Sequence, residues 1–172
     1  MQITVKILDN QRLIDDACML LYEVYIEHMK WNFSKDNPSQ NQVIIKNKRK
    51  MLVDRRTNDA IWFGAFDGDK LLGCLRLSGI DEYNKLDFEY YPSSKVVSQH
   101  IFVSKHLCIN ITKLAVHLAY PNKSLVIQRL FLNLFNYCSS NKYSAVALTH
   151  DAYLKSLFTL INFPLVIEHA FK

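Results

Sequence analysis

The chain has 172 residues, of which 49% are hydrophobic, and it contains only four glycines and four prolines. This length suits one domain with a full core, and the composition excludes disordered, collagen-like and low-complexity proteins. The formal charge of +5 and the pI near 9.0 favour an acidic partner. We therefore expect a single globular domain over residues 1–172.

The cysteines and the apolar runs indicate where the protein resides. Cys18, Cys74, Cys108 and Cys138 are far apart and form no Cys-x-x-Cys pair. This spacing predicts buried free thiols, and it indicates neither a metal site nor a disulfide framework. The first residues alternate like a strand without a signal-peptide core, and no apolar run reaches the roughly 18 residues of a membrane span. The sequence thus predicts a cytoplasmic protein without a membrane span.

The first half of the chain predicts strands and helices from its apolar spacing. Leu13, Leu20 and Leu21 recur at helical spacing after Asn10, which can cap a helix. Asp67-Gly68-Asp69 between two apolar runs predicts a hairpin. In chain order, the predicted elements are a strand at residues 2–8, a helix at 11–29, a basic helix at 40–56, a turn at 57–59, and strands at 61–66 and 70–79.

The second half alternates strands with helices, which implies a locally parallel sheet. Residues 81–105 are aromatic and polar, and they predict a substrate-side loop with a short strand near residues 86–90. The fold class is therefore α/β, an α+β arrangement around a mixed sheet. The remaining predicted elements are a strand at residues 108–117, a helix at 124–140, a strand at 143–149, a helix at 152–160 and a strand at 165–169.

The excess positive charge is concentrated in one segment. Six cationic side chains lie within residues 46–56: Lys46, Lys48, Arg49, Lys50, Arg55 and Arg56. They indicate either the solvated face of a helix, or a dock for an acidic carrier protein or for CoA phosphates. Nucleic acid is not expected, because no nucleic-acid-binding motif accompanies the charge.

Three segments carry a resemblance to a known superfamily. Lys113-Leu114-Ala115-Val116 resembles its strand ending, residues 117–130 have the length of its pyrophosphate loop and helix, and residues 158–163 resemble its closing tyrosine-x-x-leucine-glycine-phenylalanine stretch. Phe158 and Asn162 replace the tyrosine and the glycine of that stretch. With the order of elements, these segments are similar to the GCN5-related N-acyltransferase (GNAT) superfamily.

Further matches point to one branch of this superfamily. Gly73-Cys74-Leu75-Arg76-Leu77 looks like the glycine-x-x-arginine-leucine strand of acyl-homoserine-lactone synthases and long-chain N-acyl amino acid synthases. Residues 22–31 resemble their N-terminal helix, which ends near a tryptophan. Asn110-Ile111-Thr112-Lys113 occupies the place of their glutamate-x-serine-arginine.

The resemblance implies a fold and an activity. The fold is a twisted mixed sheet of about six strands flanked by helices, in which the parallel strands at residues 109–117 and 143–149 splay around an acyl-pantetheine arm. The activity is transfer of an acyl group from acyl-CoA or an acyl carrier protein to a small-molecule amine, with an amino-acid-like acceptor favoured and without a prosthetic group. Two alternatives stay open: an acetyl-CoA-dependent acetyltransferase of a small amine or protein, and a module that binds an acyl ligand or a protein without catalysis.

The donor would bind where the predicted strand at residues 108–117 leads into the following helix. Backbone N–H groups of Leu114 and Val116 could polarise the thioester carbonyl, as oxyanion donors do. Lys123, Ser124 and Leu125 stand where the family binds CoA phosphates, and Ser124 can cap the helix. An ordinary capped helix without a phosphate is the alternative.

Proton transfer needs a base and an acid near the thioester. His150, at the end of the strand at residues 143–149, is the leading candidate, and Tyr153 could replace the missing tyrosine as the acid of the thiolate. Thr112 could orient a water or the amine. Strand alternation predicts Thr112 and Leu114 on one face and Lys113 on the other.

Three further residues are predicted to bind the substrates. Arg76 lies in an apolar strand and needs a partner, which is either an acidic side chain or the carboxylate or phosphate of a ligand. Asn110 could orient the amine. Trp31 could line an acyl pocket, although core packing is the alternative for this aromatic residue.

Overall fold

The computed structural model describes residues 2–90 and 107–147. A five-stranded mixed sheet in the order β1-β4-β5-β6-β7 and a separate hairpin, β2-β3, are formed within these residues. The strands are β1 (Thr4–Ile7), β2 (Gln42–Lys46), β3 (Arg49–Val53), β4 (Ile61–Asp67), β5 (Lys70–Ser78), β6 (Cys108–Val116) and β7 (Ser144–Ala147). The helices are α1 (Gln11–Leu21), which continues as a π-helix (Tyr22–His28), a 3₁₀ helix (Asp87–Tyr90) and α2 (Lys123–Asn141).

The main sheet combines antiparallel and parallel pairs, as the sequence predicts. Strands β1, β4, β5 and β6 pair antiparallel, and β7 lies parallel to β6. The β4-β5 hairpin is confirmed, and Gly68 adopts a φ of 58° in its turn, a conformation open to glycine at little cost. The β6-β7 pairing runs from Cys108/Ser144 to Ile111/Ala147. The splay of these two strands beyond Ala147 stays a prediction.

One helix covers each face of the sheet, because successive strand side chains point to opposite faces. The α1 face buries Trp62, Phe66, Cys74 and Ala115 against α1 and the hairpin strand β3. The opposite face buries leucines and isoleucines of β5 and β6 against α2, whose Leu130 and Leu134 are fully buried. The sheet is therefore the middle of three layers, and a polar side chain on either face must find a partner within a packed core.

The first predicted helix is confirmed. Its N-terminus is capped by Asn10, whose Oδ1 accepts from the Leu13 N–H at 3.1 Å. Beyond Leu21 the chain widens into a π-helix, in which the Met29 N–H bonds the Val24 carbonyl at 2.9 Å. Such π-segments often occur at functional sites.

The predicted basic helix at residues 40–56 is wrong, because this segment forms the β2-β3 hairpin. Its turn residues, Asn47 and Lys48, both have positive φ angles, 51° and 64°, as a two-residue hairpin turn requires. The paired strands place Val43 opposite Leu52 and Ile44 opposite Met51. Their β-branched and apolar residues favour strands, and this preference outweighs the charge pattern that suggested a helix.

The predicted short strand at residues 86–90 is also wrong. Residues 87–90 form a 3₁₀ helix, and Asp87 accepts a hydrogen bond from Ser78 Oγ at 2.8 Å. This contact anchors the segment to the end of β5. The rest of the predicted loop, residues 91–105, lies outside the described residues, as do the predicted helix at 152–160 and the predicted strand at 165–169.

The four cysteines are buried free thiols, as predicted. Burial raises the pKa of the Cys18 thiol to about 12, and it raises that of Cys74 further. Such thiols are poor nucleophiles. Within residues 2–90 and 107–147, no group of histidine, cysteine or carboxylate side chains could hold a metal ion, and no helix is long and apolar enough to cross a membrane.

Candidate functional site

A β-bulge interrupts β6 beside its pairing with β5. Cys74 pairs with Ala115 and Arg76 with Thr112, so Lys113 and Leu114 together lie opposite Leu75. Lys113 has a φ of 55°, a left-handed conformation that is uncommon for a residue with a side chain. Bulges of this kind re-aim side chains and are frequent next to active sites.

The bulge changes which face each β6 side chain occupies, so the predicted alternation is wrong here. Lys113 lies on the α1 face with Thr112, whereas Leu114 packs into the core on the α2 face. The extra residue accounts for the difference, because two residues of β6 occupy the space of one. The structure therefore adds a lysine to the polar residues of the α1 face.

A cavity of about 250 Å³ opens on the α1 face of β6, at the bulge. Four residues predicted to act on the substrates line it: Trp31, Arg76, Asn110 and Thr112. The structure thus brings together residues that are as many as 81 positions apart in the sequence. Four residues for which the sequence predicts no role at the site also line this cavity: Tyr25, Asn41, Asp54 and Lys113.

Arg76 is the centre of a buried ion cluster. Its side chain is 2% exposed, and its Nη1 lies 2.5 Å from Asp54 Oδ1, while Nη2 lies 3.4 Å from Asp87 Oδ2. Its Nε donates to Thr112 Oγ1 at 3.0 Å. The predicted need for a partner is therefore met by acidic side chains of the protein, which are themselves buried.

Lys113 completes the cluster at the cavity wall. Its Nζ lies 3.3 Å from the second oxygen of Asp54 and 2.5 Å from Asn41 Oδ1. At the outer edge, Arg55 contacts Asp81 at 3.2 Å and Asp87 at 3.6 Å. The ion cluster is defined by six residues: Asp54, Arg55, Arg76, Asp81, Asp87 and Lys113.

The cluster shifts the pKa values of Asp54 and Lys113. Burial alone would raise the pKa of Asp54, but the charges of Arg76 and Lys113 and its hydrogen bonds hold it below 3.8. Burial lowers the pKa of Lys113 below 10.5; Asp54 opposes this shift and Arg76 adds to it. Asp54 is thus kept ionised, whereas the loss of hydration makes the charged form of Lys113 less favourable.

The free energy of unfolding is expected to fall as the pH is lowered below 3.8, because the folded-state pKa of Asp54 is lower than this unfolded-state value. The contribution of such a group is complete above the unfolded-state pKa and is lost as the pH falls through the folded-state pKa. Urea unfolding between about pH 6 and about pH 2.5 measures the slope. Asp54→Asn should show a shallower slope, with a remainder from Asp15 and Asp81, whose pKa values are also lowered. Equal slopes would contradict the assignment.

Tyr25, from the π-helix, closes one side of the cavity. Its hydroxyl donates to the Leu114 carbonyl at 2.7 Å, and burial raises its pKa. Trp31 stacks on Tyr25 with the ring centroids 4.4 Å apart, yet it remains 49% exposed. Trp31 therefore lines the cavity mouth and is not a core residue.

The start of α2 is capped differently from the sequence expectation. Asn122, and not Ser124, is the cap residue, and its Oδ1 accepts from the Leu125 N–H at 3.1 Å. Asn122 precedes the helix by one residue and its short amide side chain can fold back over the first turn. Lys123 is exposed at this terminus. The proposed phosphate site therefore retains its lysine, while one backbone donor is already used.

Two predicted catalytic residues, His150 and Tyr153, lie outside the described residues.

The basic segment at residues 46–56 divides into two parts. Lys46 and Arg49 pair with Asp15 and Asp16 of α1 at 2.6 and 3.9 Å. Arg56 donates to the Gly79 carbonyl at 3.0 Å and is 4% exposed. Much of the positive charge that suggested an acidic partner is thus neutralised or buried within the protein.

One sequence signal could have revealed Asp54. A buried arginine in β5 requires a buried acid, and Asp54 directly follows the apolar strand end Met51-Leu52-Val53. Assigning residues 40–56 to a helix concealed this connection. The position of Lys113 carried no signal, because its place in the strand alternation is reversed only by the bulge.

Comparison with solved structures identifies the fold. The synthase LasI, an AHL synthase, superposes with a TM-score of 0.65 and 11% identity, covering 92% of this chain and 77% of LasI. FeeM, an N-acyl amino acid synthase from uncultured soil microbes, gives 0.60 and 14% identity, with coverage of 92% and 77%. The aminoglycoside acetyltransferase meta-AAC0020 from an uncultured soil metagenomic sample gives 0.56 and 12%, with coverage of 99% and 92%.

No protein-family model and no curated protein sequence matches the chain. At these identities the structural similarity establishes a fold, and function must be argued from the site. The chain has the GCN5-related N-acyltransferase fold that the sequence resemblance implied, and two synthases and an acetyltransferase are among the structures similar to it.

Proposed function

We propose that this protein is an N-acyltransferase that moves an acyl group from an acyl thioester to the amine of a small, amino-acid-like acceptor. The observation that carries the proposal is the β6 bulge, which sets a polar cavity with a buried ion cluster beside the end of the β6-β7 pairing. Proteins of similar structure are named as synthases and acetyltransferases. Their low sequence identity leaves the substrates of this protein to experiment.

The thioester carbonyl would lie against the backbone of β6 after the bulge. Acyl transfer needs donors aimed at the developing oxyanion, and a backbone N–H of Leu114 or Val116 can serve whatever side chain it carries. The Leu114 carbonyl already accepts a hydrogen bond from the Tyr25 hydroxyl at 2.7 Å, and this bond holds the backbone in place here. His150 as the base and Tyr153 as the acid of the thiolate stay predictions from the sequence, because both lie outside the described residues.

The acceptor would occupy the cavity on the α1 face. Thr112 Oγ1 accepts from Arg76, so its own O–H can donate to a ligand. Asn110 offers an amide oxygen to an amine N–H. Arg76 is held in place by Asp54 and Asp87. Its positive charge would attract an acceptor carboxylate, and any N–H group that does not bond these acids could donate to it. An acceptor with both an amine and a carboxylate matches these groups.

The donor is either acyl-CoA or an acyl carrier protein. Lys123, Ser124 and the start of α2 would bind the phosphates of CoA, because a helix N-terminus favours anions. A carrier protein is acidic and would contact the hairpin turn, where Lys48 and Lys50 add to the paired Lys46 and Arg49. Lys50 also lies over the Tyr22 ring, 5.5 Å from its centroid.

Mass spectrometry of reaction mixtures tests the proposal. The purified protein is incubated with acetyl-CoA, long-chain acyl-CoA or acyl carrier protein, each with a panel of amino acids and simple amines. An N-acyl amino acid is the expected product, whereas a product from acetyl-CoA alone would select the acetyltransferase alternative. Lys48→Glu with Lys50→Glu should slow transfer from carrier protein and leave transfer from acyl-CoA unchanged. The absence of any acylated amine with every donor would refute the enzymatic proposal.

A further inference from the structure

Lys113 adopts a conformation that costs free energy within a strand. Its φ of 55° is left-handed, and such a conformation costs a non-glycine residue about 1–2 kcal/mol. Strained residues of this kind cluster at active sites, where the surrounding structure holds them in place. This left-handed conformation at the bulge places the Lys113 side chain on the face that carries Thr112 and Arg76.

The amine of Lys113 contacts two oxygens of the protein and lines the cavity. Its side chain is 12% exposed, and Nζ contacts Asp54 Oδ2 at 3.3 Å and Asn41 Oδ1 at 2.5 Å. A neutral amine has two N–H groups and one lone pair. With one N–H group donated to Asn41 Oδ1, a neutral amine keeps its lone pair for the cavity that Lys113 lines.

A second group in the cavity requires a hydrogen-bond donor. Asn110 is 4% exposed, and its Oδ1 has no hydrogen-bond partner among the residues that the structure describes. An unpaired buried acceptor costs about 1–3 kcal/mol, so a bound N–H donor would recover this free energy. Asn110 and Lys113 line the same cavity, and together they suit an amine that donates to both.

The charged groups around Lys113 influence whether its amine is protonated. Lys113 faces Asp54 beyond β3, Arg76 on β5 and Asp87 on the 3₁₀ helix, with Arg55 and Asp81 at the outer edge. With Lys113 charged, the ion cluster holds three cations and three anions. An ammonium acceptor would add one positive charge, and its proximity favours the neutral form of Lys113. Burial lowers the pKa of Lys113 in the same direction.

We propose that Lys113, and not His150, is the base that takes a proton from the acceptor ammonium, and this role rests on the acyl transfer proposed above. Neutral Lys113 would accept one ammonium proton through its lone pair, leaving a free amine. The amine nitrogen then forms the C–N bond as the C–S bond breaks. The second proton goes to the departing thiolate and the third remains on the amide, so that one thiol, one amide and one charged lysine result.

The variant Lys113→Arg separates a base from a structural cation, because arginine keeps the charge and the hydrogen bonds but does not release a proton. We expect kcat to fall by about 10²- to 10⁴-fold, the usual contribution of a general base, with the acceptor KM within a few-fold of the wild-type value. The rise of kcat/KM with pH that reports the base should also disappear. Lys70→Arg, at the exposed start of β5, is the matched control and should keep full activity. An active Lys113→Arg enzyme with an unchanged pH profile would overturn the role of Lys113.

Competitive labelling of the wild-type protein with acetic anhydride provides a readout that needs no turnover. Mass spectrometry of the labelled peptides at increasing pH should show Lys113 becoming reactive at lower pH than Lys70. Titration together with Lys70, or no labelling of Lys113 at any pH, would overturn the proposal. If the wild-type enzyme acylates no amine, the proposed function and the role of Lys113 fail together. If it does so while Lys113→Arg is equally active, only the role of Lys113 fails.

Discussion

Replacement of Asp54 by alanine is expected to lower the free energy of unfolding by about 3–5 kcal/mol, the usual cost of leaving buried charges without their partner. Asp54 is 1% exposed at its side chain and contacts both Arg76 and Lys113. Its removal leaves two cations with Asp87 as their nearest remaining acid. Arg76, whose side chain is 2% exposed, would keep its charge with almost no contact with water. Denaturant unfolding followed by circular dichroism measures the loss.

Asp59→Ala is the matched control for this prediction. Asp59 also pairs with an arginine, since its Oδ2 lies 3.4 Å from Arg56 Nε, but its side chain is 57% exposed. Exposed pairs contribute roughly 0–1 kcal/mol, so this variant should remain close to the wild type in stability. Equal losses in the two variants would show that burial does not govern the energetics of Asp54.

A double variant tests whether Asp54 and Arg76 act as a pair. Asp54→Ala combined with Arg76→Met should lose less stability than the two single variants together, because the second change removes a charge that the first has left unpaired. Coupling free energies of about 0.5–3 kcal/mol are usual for contacting residues. Strict additivity would mean that the close approach of these side chains contributes nothing to stability.

The elements that the sequence predicted correctly have apolar patterns that local physics alone determines. The β4-β5 hairpin follows from two apolar runs around Gly68, and β6 and α2 follow from a buried run and a helical spacing. At residues 42–53 the cations suggest a helix, but the β-branched run Val43-Ile44-Ile45 favours the strand that forms there. Charge has little preference between an exposed helix and an exposed strand, whereas branching at Cβ does.

The site was only partly predictable for a different reason. Asn110 and Thr112 share a face because side chains alternate along β6, and the pairing of Arg76 with Thr112 places Arg76 on the same face. The face of Lys113 could not be predicted, since a bulge depends on how β6 pairs with β5 and on the space that α1 leaves. Asp54 likewise required the tertiary contact between the end of β3 and β5. The sequence pattern thus indicated some of the polar residues that line the cavity, whereas strand pairing and tertiary contacts brought the charged residues Lys113 and Asp54 to it.

Replacement of Gly73 by alanine is expected to lower the free energy of unfolding by about 1–3 kcal/mol, the cost of overfilling a packed core. A Cβ at this position would lie 2.8 Å from Val126 Cγ1 of α2 and 3.0 Å from the Ala115 carbonyl oxygen. The carbonyl belongs to the β5-β6 ladder and cannot rotate away, so α2 or β6 must shift.

Gly79→Ala is the control for Gly73→Ala, because no atom lies within 4 Å of a Cβ built at Gly79. This variant should be as stable as the wild type or more stable by up to about 1 kcal/mol, since alanine restricts the unfolded chain. A shift of α2 would also move Lys123 and the helix start proposed to bind the donor, so Gly73→Ala should raise the KM for acyl-CoA more than that for the acceptor. Equal stability of the two variants would mean that glycine is not required where α2 crosses β5.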